Sequence, residues 1–241
     1  MQEFPLISFI NFFCNHNLFN YLHRPKWKFV KGGSYKYINS IIKKNLFNFY
    51  LNKKVEKILR ENNKIKLLFK NGEHFLADII ILATHADESL KLLQNPSTDE
   101  FNILSNFKYT KNFAYLHSDS NFMPKNKPAW SSWNFIDKFE NNNFFSLTYW
   151  MNLLQNLKGN EDYFVTINPR TEPQKCYDKT IFYHPIYNLN TLNAQKKLGN
   201  IQGHKNTYYC GSYCGYGFHE DGIQSAAYIA KIFDIRIPWE V

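Results

Sequence analysis

The chemical groups of this sequence are densest near its C-terminal end, in the stretch YYCGSYCGYGFHEDGIQSAAYIAKIF, residues 208–233. Two cysteines, a histidine, two acidic residues and four glycines lie close together there. Residues of these types suit a metal site, a reactive thiol pair, or a backbone that closes around a cofactor. The spacing of the residues distinguishes these three kinds of site.

Cys210, Cys214 and His219 are three candidate metal ligands, whereas a structural zinc site takes four ligands in closely spaced pairs. The Cys-x3-Cys spacing also differs from the Cys-x-x-Cys spacing of redox-active thiols. We therefore expect neither a metal nor a reactive thiol pair. The sequence shows no catalytic triad, and it assigns no catalytic side chain.

The glycines of this stretch favour a cofactor held by backbone. Glycine lets the backbone approach a ligand where a Cβ atom would block it, and the free N–H groups at a helix N-terminus favour negative charge. We expect a helix from Gly222 to Phe233, with a first turn kept narrow by Ser225 and Ala226, so that a flat ring system fits against it. A plain strand–turn–helix would use its glycines equally well, and this alternative stays open. The apolar stripe of the helix comprises Ile223, Ala226, Ala227, Ala230 and Phe233.

The elements that must position this stretch follow from apolar periodicity. Residues 4–22, which precede a turn at Arg24–Pro25, and residues 34–44, capped by Ser34, predict helices. Residues 48–78 predict an antiparallel meander with its last turn at Asn71–Gly72. Residues 79–82 are uniformly apolar, as in a parallel strand covered on both faces, and a helix follows at 87–93.

The second half of the chain predicts a different sheet followed by a return to the first. Residues 108–187 contain short aromatic strands, which indicate an antiparallel sheet. A helix at 189–201 then leads to a strand at 208–210, expected to run parallel to 79–82. The fold class is mixed α/β (α+β). One face of the aromatic sheet is expected to comprise Trp130, Trp133, Phe145, Tyr149 and Trp150.

Composition limits the class of protein. Hydrophobic residues make up 44% and charged residues 20% of 241 residues, which is typical of globular protein. The net charge is +9, but the basic residues are scattered and form no dense stripe, so we expect no nucleic-acid partner and at most peripheral contact with a membrane. Four cysteines form no disulfide framework and no signal peptide is visible, which predicts a cytoplasmic protein.

Seven segments in a fixed order carry a resemblance to a known family. They are RPKWKFVKGGSYKYI, ILATHADESLKLL, AWSSWNF, TYWMNLLQNL, FVTINP, HPIYNLNTLNAQKKL and CGSYCGYGFHEDGIQSAA. Together they resemble the C-terminal portion of the predicted NAD/FAD-binding proteins of the flavin amine oxidase superfamily, relatives of monoamine oxidases, protoporphyrinogen oxidase and phytoene desaturases. The resemblance implies an FAD-dependent oxidoreductase in which a Rossmann-like flavin domain carries an antiparallel substrate domain.

The resemblance also implies domain boundaries. The domains are residues 1–30, a helical part of the substrate domain; 31–107, part of the FAD-binding domain; 108–187, the antiparallel substrate domain; and 188–241, the C-terminal part of the FAD-binding domain.

Site residues carry over by position. Val55 matches the residue whose backbone contacts the adenine, and Ala83 and Thr84 match the strand end beside the dinucleotide. Gly211 matches the glycine that leaves room for the ribityl-pyrophosphate part of the cofactor to pass. The loop and helix start under the isoalloxazine match Tyr216, Gly217, Phe218, His219, Glu220, Asp221, Gly222 and Ile223. Many members have an acid two residues after the glycine, where this chain has Tyr213. Glu220 and Asp221 either replace that acid or cap the helix.

This chain lacks both the strand–GxGxxG–helix segment and the acid that holds the adenosine ribose in the family. This absence is its largest departure from the family. The FAD site of these 241 residues is therefore expected to be incomplete. The chain is then the C-terminal part of an oxidoreductase whose partner, an upstream half, carries GxGxxG, and its substrate is hydrophobic or lipid-like. The alternative is a non-catalytic interaction remnant that has lost the nucleotide-binding half.

Overall fold

The computed structural model describes residues 5–20, 22, 28–61, 63–137 and 145–239. The predicted turn at Arg24–Pro25 lies outside the described residues. The helices are α1 Leu6–Asn15, α2 Tyr35–Lys43, α3 Ala86–Leu92, α4 Thr98–Leu104, α5 Met151–Leu154, α6 Leu189–Gln195 and α7 His219–Ile232. The strands are β1 Val55–Glu61, β2 Lys64–Phe69, β3 His74–Ala77, β4 Ile80–Leu82, β5 Lys108–His117, β6 Trp133–Asp137, β7 Phe145–Trp150, β8 Phe164–Ile167, β9 Cys176–Ile186 and β10 Thr207–Tyr209.

The chain divides into two compact units. The first comprises residues 1–25, 49–109 and 185–241, and the second comprises residues 26–48 and 110–184. The two units reflect how compactly the residues pack and not which residues bind a cofactor or substrate. The domain boundaries given above therefore stay a prediction. The mixed α/β fold class is confirmed, because helices, a parallel strand pair and antiparallel sheets are all present.

The predicted antiparallel meander is confirmed. Strands β1, β2 and β3 pair in that order, and the chain reverses at Asn71–Gly72, where Gly72 N donates to Phe69 O (3.0 Å). Gly72 has φ +81°, a conformation that glycine adopts without the steric cost of a side chain. The turn residues predicted from the sequence are therefore the ones that the hairpin uses.

The predicted parallel pairing of the two distant strands is also confirmed. Thr207–Tyr209 pairs in parallel with Ile80–Leu82, and Cys210 N extends the ladder to Leu82 O (3.0 Å). One face of this pair enters the buried core. In the described part of the chain the other face is only partly covered, since Ile79 and Ile81 are 46% and 49% exposed. The expectation that residues 79–82 are covered on both faces is thus wrong for the described residues.

Helix α7 begins three residues before the predicted start. Phe218 precedes the helix, and its N–H donates to the Asp221 carboxylate (2.8 Å), so this acid satisfies a free donor at the helix N-terminus. The buried residues of α7 are Ser225, Ala227 and Ile229, while Ile223 and Ala226 are exposed. Therefore the predicted apolar stripe differs from the buried face. Helix α6 also ends earlier than predicted, and a 3-10 turn follows at Leu198–Ile201.

The second unit contains the predicted antiparallel sheet, with strand order β6-β7-β8-β5-β9. Its buried face carries a chain of hydrogen bonds from His117 Nε2 to Thr166 Oγ1 (2.7 Å) and on to Thr148 Oγ1 (2.9 Å). Burial lowers the pKa of His117. Helix α2 also lies in this unit and begins after Ser34, although the Ser34 side chain makes no capping hydrogen bond.

A buried ion pair joins three elements of the first unit. Arg60 on β1 contacts Glu100 on α4 through two hydrogen bonds (2.5 and 2.8 Å), and the Tyr209 hydroxyl on β10 donates to the same carboxylate (2.7 Å). Both charged side chains are almost completely buried. Burial alone would raise the pKa of Glu100, but hydrogen bonds from Arg60, Tyr209 and Ser97 N outweigh it and lower the pKa to about 2.

We predict that Glu100→Gln destabilises the protein by about 3–5 kcal/mol at neutral pH, because it leaves the Arg60 guanidinium buried without its counter-charge. The folded-state pKa of Glu100 lies below the ordinary value of 4.5. Its stabilising contribution is therefore complete above pH 4.5 and is lost as the pH falls toward about 2. Urea unfolding of both proteins across this range measures the difference, which should shrink on acidification. A difference below about 1 kcal/mol at neutral pH would show that the ion pair is not important for stability.

Candidate functional site

The parallel strand pair brings two of the predicted site segments together. Ala83 and Thr84 follow β4, Gly211 follows β10, and a Cβ atom built on Gly211 would lie 3.8 Å from Thr84 O. Ligands of open α/β sheets bind outside the carboxyl ends of parallel strands. These three residues thus lie at the edge where such a ligand would be expected.

Gly211 occupies a position that only glycine fits. Its φ is +151°, and a Cβ atom there would meet the Tyr213 ring at 2.8 Å. Its N–H donates to Ser225 Oγ (2.9 Å), which fixes the strand end against α7. At this strand end, therefore, no side chain lies between the Gly211 backbone and Thr84, and the hydrogen bond to Ser225 holds the backbone in place.

The loop Tyr216–Phe218 lies against α1. Asn11 Nδ2 donates to the Tyr216 hydroxyl (2.6 Å), and the Phe218 ring lies near the rings of Phe12 (6.0 Å) and His16 (5.2 Å). The first helix therefore positions the predicted flavin-facing loop, a role that its apolar sequence did not reveal.

Gly217 is the second position that requires glycine. It has φ +91°, and a Cβ atom built on it would lie 2.8 Å from Tyr187 Oη. Tyr187 thus lies directly against the loop backbone. From α6, Gln195 Nε2 donates to the carbonyl oxygens of Tyr213 (2.9 Å) and Gly215 (2.6 Å), so the loop is held from this side as well.

The N-terminus of α7 is the start of a 14-residue helix, long enough for its free N–H groups to favour negative charge. Asp221 caps this end, and Glu220 accepts from Gln224 (2.7 Å) on the exposed surface. The two acids therefore act as helix-capping and surface groups in this structure. His219 is exposed, as is Ile223.

Gly222 lies one turn inside α7 rather than at its first position. The nearest heavy atom to a Cβ built on it is Ser212 N at 3.8 Å, an ordinary contact distance. A small side chain at this position therefore meets no obstacle among the described residues. Any requirement for glycine here would have to come from a bound ligand.

Two buried hydroxyls next to the loop have no hydrogen-bond partner among the described residues. They are Tyr187 Oη and Tyr213 Oη. Burial raises the pKa of both phenols, so both are protonated donors at neutral pH. Bare glycine backbone, a helix N-terminus and unpaired donors are features that fit a polar, electron-rich cofactor such as a flavin.

The thiols of this stretch are not activated. Burial raises the pKa of Cys210 and raises the pKa of Cys214 to about 12, so both stay protonated at neutral pH. Protonated thiols are poor nucleophiles and poor metal ligands. All four cysteines are free, and the described residues include no group of three or more metal-binding side chains. That the chain binds no metal stays a prediction.

Val55, the remaining site residue, belongs to a different sheet from the strand ends that carry Ala83, Thr84 and Gly211. It begins β1 in the three-stranded sheet and packs against the core of the first unit. Its predicted contact with adenine stays a prediction, as do the roles of the other site residues.

The antiparallel sheet of the second unit has one apolar face, which we call the apolar sheet face. Directly opposed residues of neighbouring strands share a face. Two rows cross four strands on this face: Leu116, Val165, Tyr149 and Trp133, and Ala114, Ile167, Leu147 and Phe135. Trp150 lies on the opposite face, 5.2 Å from Trp130, so the predicted single aromatic face is wrong. The Phe145 side chain lies outside the described residues.

Comparison with known protein families shows to which family this chain belongs. Residues 8–152 match the family described as flavin containing amine oxidoreductase. The chain belongs to this family. The match confirms the resemblance stated from the sequence, since the description of the family is that of flavin-containing oxidoreductases. No curated protein matches the chain.

Several solved structures share the fold of this family member. Cyclohexylamine oxidase from Brevibacterium oxydans IH-35A aligns with 97% of this chain and 61% of its own, at 12% identity and a TM-score of 0.54. Reduced UDP-galactopyranose mutase aligns with 86% and 53%, at 13% identity and a TM-score of 0.57. A CLA-producing fatty acid isomerase from P. acnes aligns with 76% and 48%, at 11% identity and a TM-score of 0.53. The chain thus spans about half the length of the solved structures that it resembles.

We predict opposite effects on stability for two glycines of this site. Gly217→Ala places a side chain at φ +91° and against the Tyr187 hydroxyl, and should cost about 1–3 kcal/mol. Gly222→Ala replaces glycine inside a helix with space around it and should stabilise the protein by about 0.5–1 kcal/mol. Urea unfolding of the two variants measures both values. Equal effects of the two substitutions would contradict the loop geometry described above.

Proposed function

We propose that this chain supplies the flavin-ring side of an FAD pocket in an oxidoreductase that takes a hydride from a carbon atom of its substrate and releases a proton from the neighbouring atom, so that a C–N or C–C single bond becomes a double bond. The observation that carries the proposal is the meeting of Ala83, Thr84 and Gly211 at the ends of two parallel strands, next to the N-terminus of α7. When bound, FAD supplies the hydride-accepting chemistry, and the protein supplies orientation and electrostatics.

Each group at this site has a physical task in the proposal. Bare backbone at Gly211 and Gly217 lets the cofactor approach closely. The α7 N-terminus would stabilise negative charge on a bound flavin. Tyr187 holds a proton on a buried hydroxyl that lies against Gly217 and lacks a partner among the described residues, so this hydroxyl is a candidate donor to the cofactor.

The substrate is proposed to be hydrophobic or lipid-like. The apolar sheet face offers two rows of aromatic and aliphatic side chains and no charged group within them. Apolar walls of this kind are typical of sites for apolar ligands. The fatty acid isomerase from P. acnes, which has a similar fold, is consistent with a lipid-like substrate for this chain.

The phosphate-binding side of the pocket is proposed to come from a polypeptide that carries strand–GxGxxG–helix. The 241 residues contain no GxGxxG sequence. The half-exposed Ile79 and Ile81 beside and on β4 are consistent with such a segment packing on this face, because parallel sheets are normally covered on both sides.

We predict that Gly222→Val abolishes FAD binding in the assembly with the polypeptide that carries strand–GxGxxG–helix. The valine side chain would meet the ring system, while its helix-propensity cost relative to alanine is only about 0.7 kcal/mol or less. Quenching of flavin fluorescence during titration of the co-expressed proteins measures the affinity.

Gly199→Val is the matched control, because a Cβ atom at Gly199 also has its nearest neighbour 3.8 Å away and the residue lies outside the predicted loop. Its FAD affinity should be unchanged. Equal affinities for both variants and the unmodified chain would mean that α7 does not face the cofactor. An unmodified chain that binds no FAD in this assembly would favour the alternative, a non-catalytic interaction module.

A further inference from the structure

The positive charge of this protein is concentrated in one part of the chain. Residues 4–55 contain nine Lys and Arg residues and no Asp or Glu, whereas the remaining residues contain equal numbers of acidic and basic side chains. The whole net charge of +9 therefore belongs to residues 4–55. Any electrostatic attraction of the protein to an anionic partner should act through this segment.

Helix α2 lies in the middle of this segment and is amphipathic. Tyr35, Ile38, Ile41 and Ile42 follow the three- and four-residue spacing of one helix face. Lys36, Asn39, Ser40 and Lys43 occupy the other face. A nine-residue helix of this pattern normally buries its apolar face against the protein.

The apolar face of α2 is exposed in this structure. Ile38 and Ile41 are each 46% exposed and Ile42 is 42% exposed, and every residue from 28 to 50 is exposed. The flanking residues continue the pattern, because Phe29, Val30 and Leu46 are exposed apolar residues. We call the exposed side chains of residues 28–46 the basic apolar surface.

Charge decides which partner fits the basic apolar surface. Lys28, Lys31, Lys36, Lys43 and Lys44 alternate in the sequence with the apolar residues of this surface, and no acidic residue lies among them. A second copy of the chain would bring the same positive charges together, which is unfavourable. The partner must combine an apolar layer with negative charge.

We propose that the basic apolar surface binds the surface of an anionic lipid bilayer. Helix α2 would lie in the plane of the interface, with its isoleucines and Tyr35 in the boundary between headgroups and acyl chains. The lysine ammonium groups would extend to the lipid phosphates while their methylene stems stay in the apolar layer. Tyrosine and lysine are residue types that favour this boundary.

This contact is peripheral. The nine residues of α2 are too few to cross a bilayer, and none of the described helices is long and apolar enough to do so. The inference does not rest on the proposed flavin chemistry. It would hold for an interaction module as well as for an enzyme.

Sedimentation of the full chain with lipid vesicles tests the proposal. We expect binding to vesicles of phosphatidylcholine mixed with phosphatidylserine, and at least about tenfold weaker binding to vesicles of phosphatidylcholine alone. Binding should weaken as salt is raised, because the charges are exposed. Equal binding to both vesicle types, or binding to neither, would overturn the proposal.

Matched variants locate the surface. Each of Lys36→Gln and Lys43→Gln should weaken binding about fivefold, the effect of one lysine near an anionic membrane. Lys125→Gln and Lys158→Gln, exposed lysines of the same unit, should leave binding unchanged.

The apolar contribution has its own control. Ile41→Gln should weaken binding about tenfold through the loss of one inserted side chain. Ile232→Gln changes a helical isoleucine of similar exposure (44% against 46%) outside the surface and should have no effect. Equal losses from the α2 variants and their controls would place the lipid contact elsewhere and refute the assignment. Concentration-dependent dimerisation that Ile41→Gln abolishes, without vesicle binding, would identify a second copy as the partner instead.

Discussion

The parallel pairing of β4 with β10 is the constraint on which the candidate site depends. It joins residues 80–82 to residues 207–209, which are distant in the sequence, and so places Ala83 and Thr84 beside Gly211. Neither strand end forms a site by itself. The loop and the N-terminus of α7 follow β10 closely in the sequence, so the pairing of β10 with β4 also determines where they lie.

The ion pair of Arg60 and Glu100 secures this arrangement from inside the core. The Glu100 carboxylate also accepts from Tyr209, a residue of β10, and Arg60 contacts Thr207 Oγ1 at 3.3 Å. A buried charge is expensive unless it is fully hydrogen-bonded, and β10 supplies two of the polar groups that surround this pair. Specificity of position, rather than net stability, is the contribution that such a pair makes best.

Local patterns in the sequence predicted much of the fold, and the site less completely. The Asn71–Gly72 turn and the meander follow from short local patterns, and the structure contains both. The apolar strand predicted at residues 79–82 is also present, at Ile80–Leu82. The early start of α7 could not be predicted, because the cap supplied by Asp221 becomes visible only with the geometry. Glycine types pointed to the candidate loop, whose role stays a prediction, whereas Asn11, Tyr187 and Gln195 were missed because each reaches this loop from a distant part of the chain.

The flavin content of the purified chain tests the central claim most directly. These residues are proposed to form only the ring side of the pocket, since they lack the phosphate-binding glycines. Equilibrium titration of the full chain with FAD, followed by absorbance and flavin fluorescence, should give no stoichiometric complex without the GxGxxG polypeptide and a yellow complex with it. A yellow one-to-one complex of FAD with this chain alone would contradict the claim.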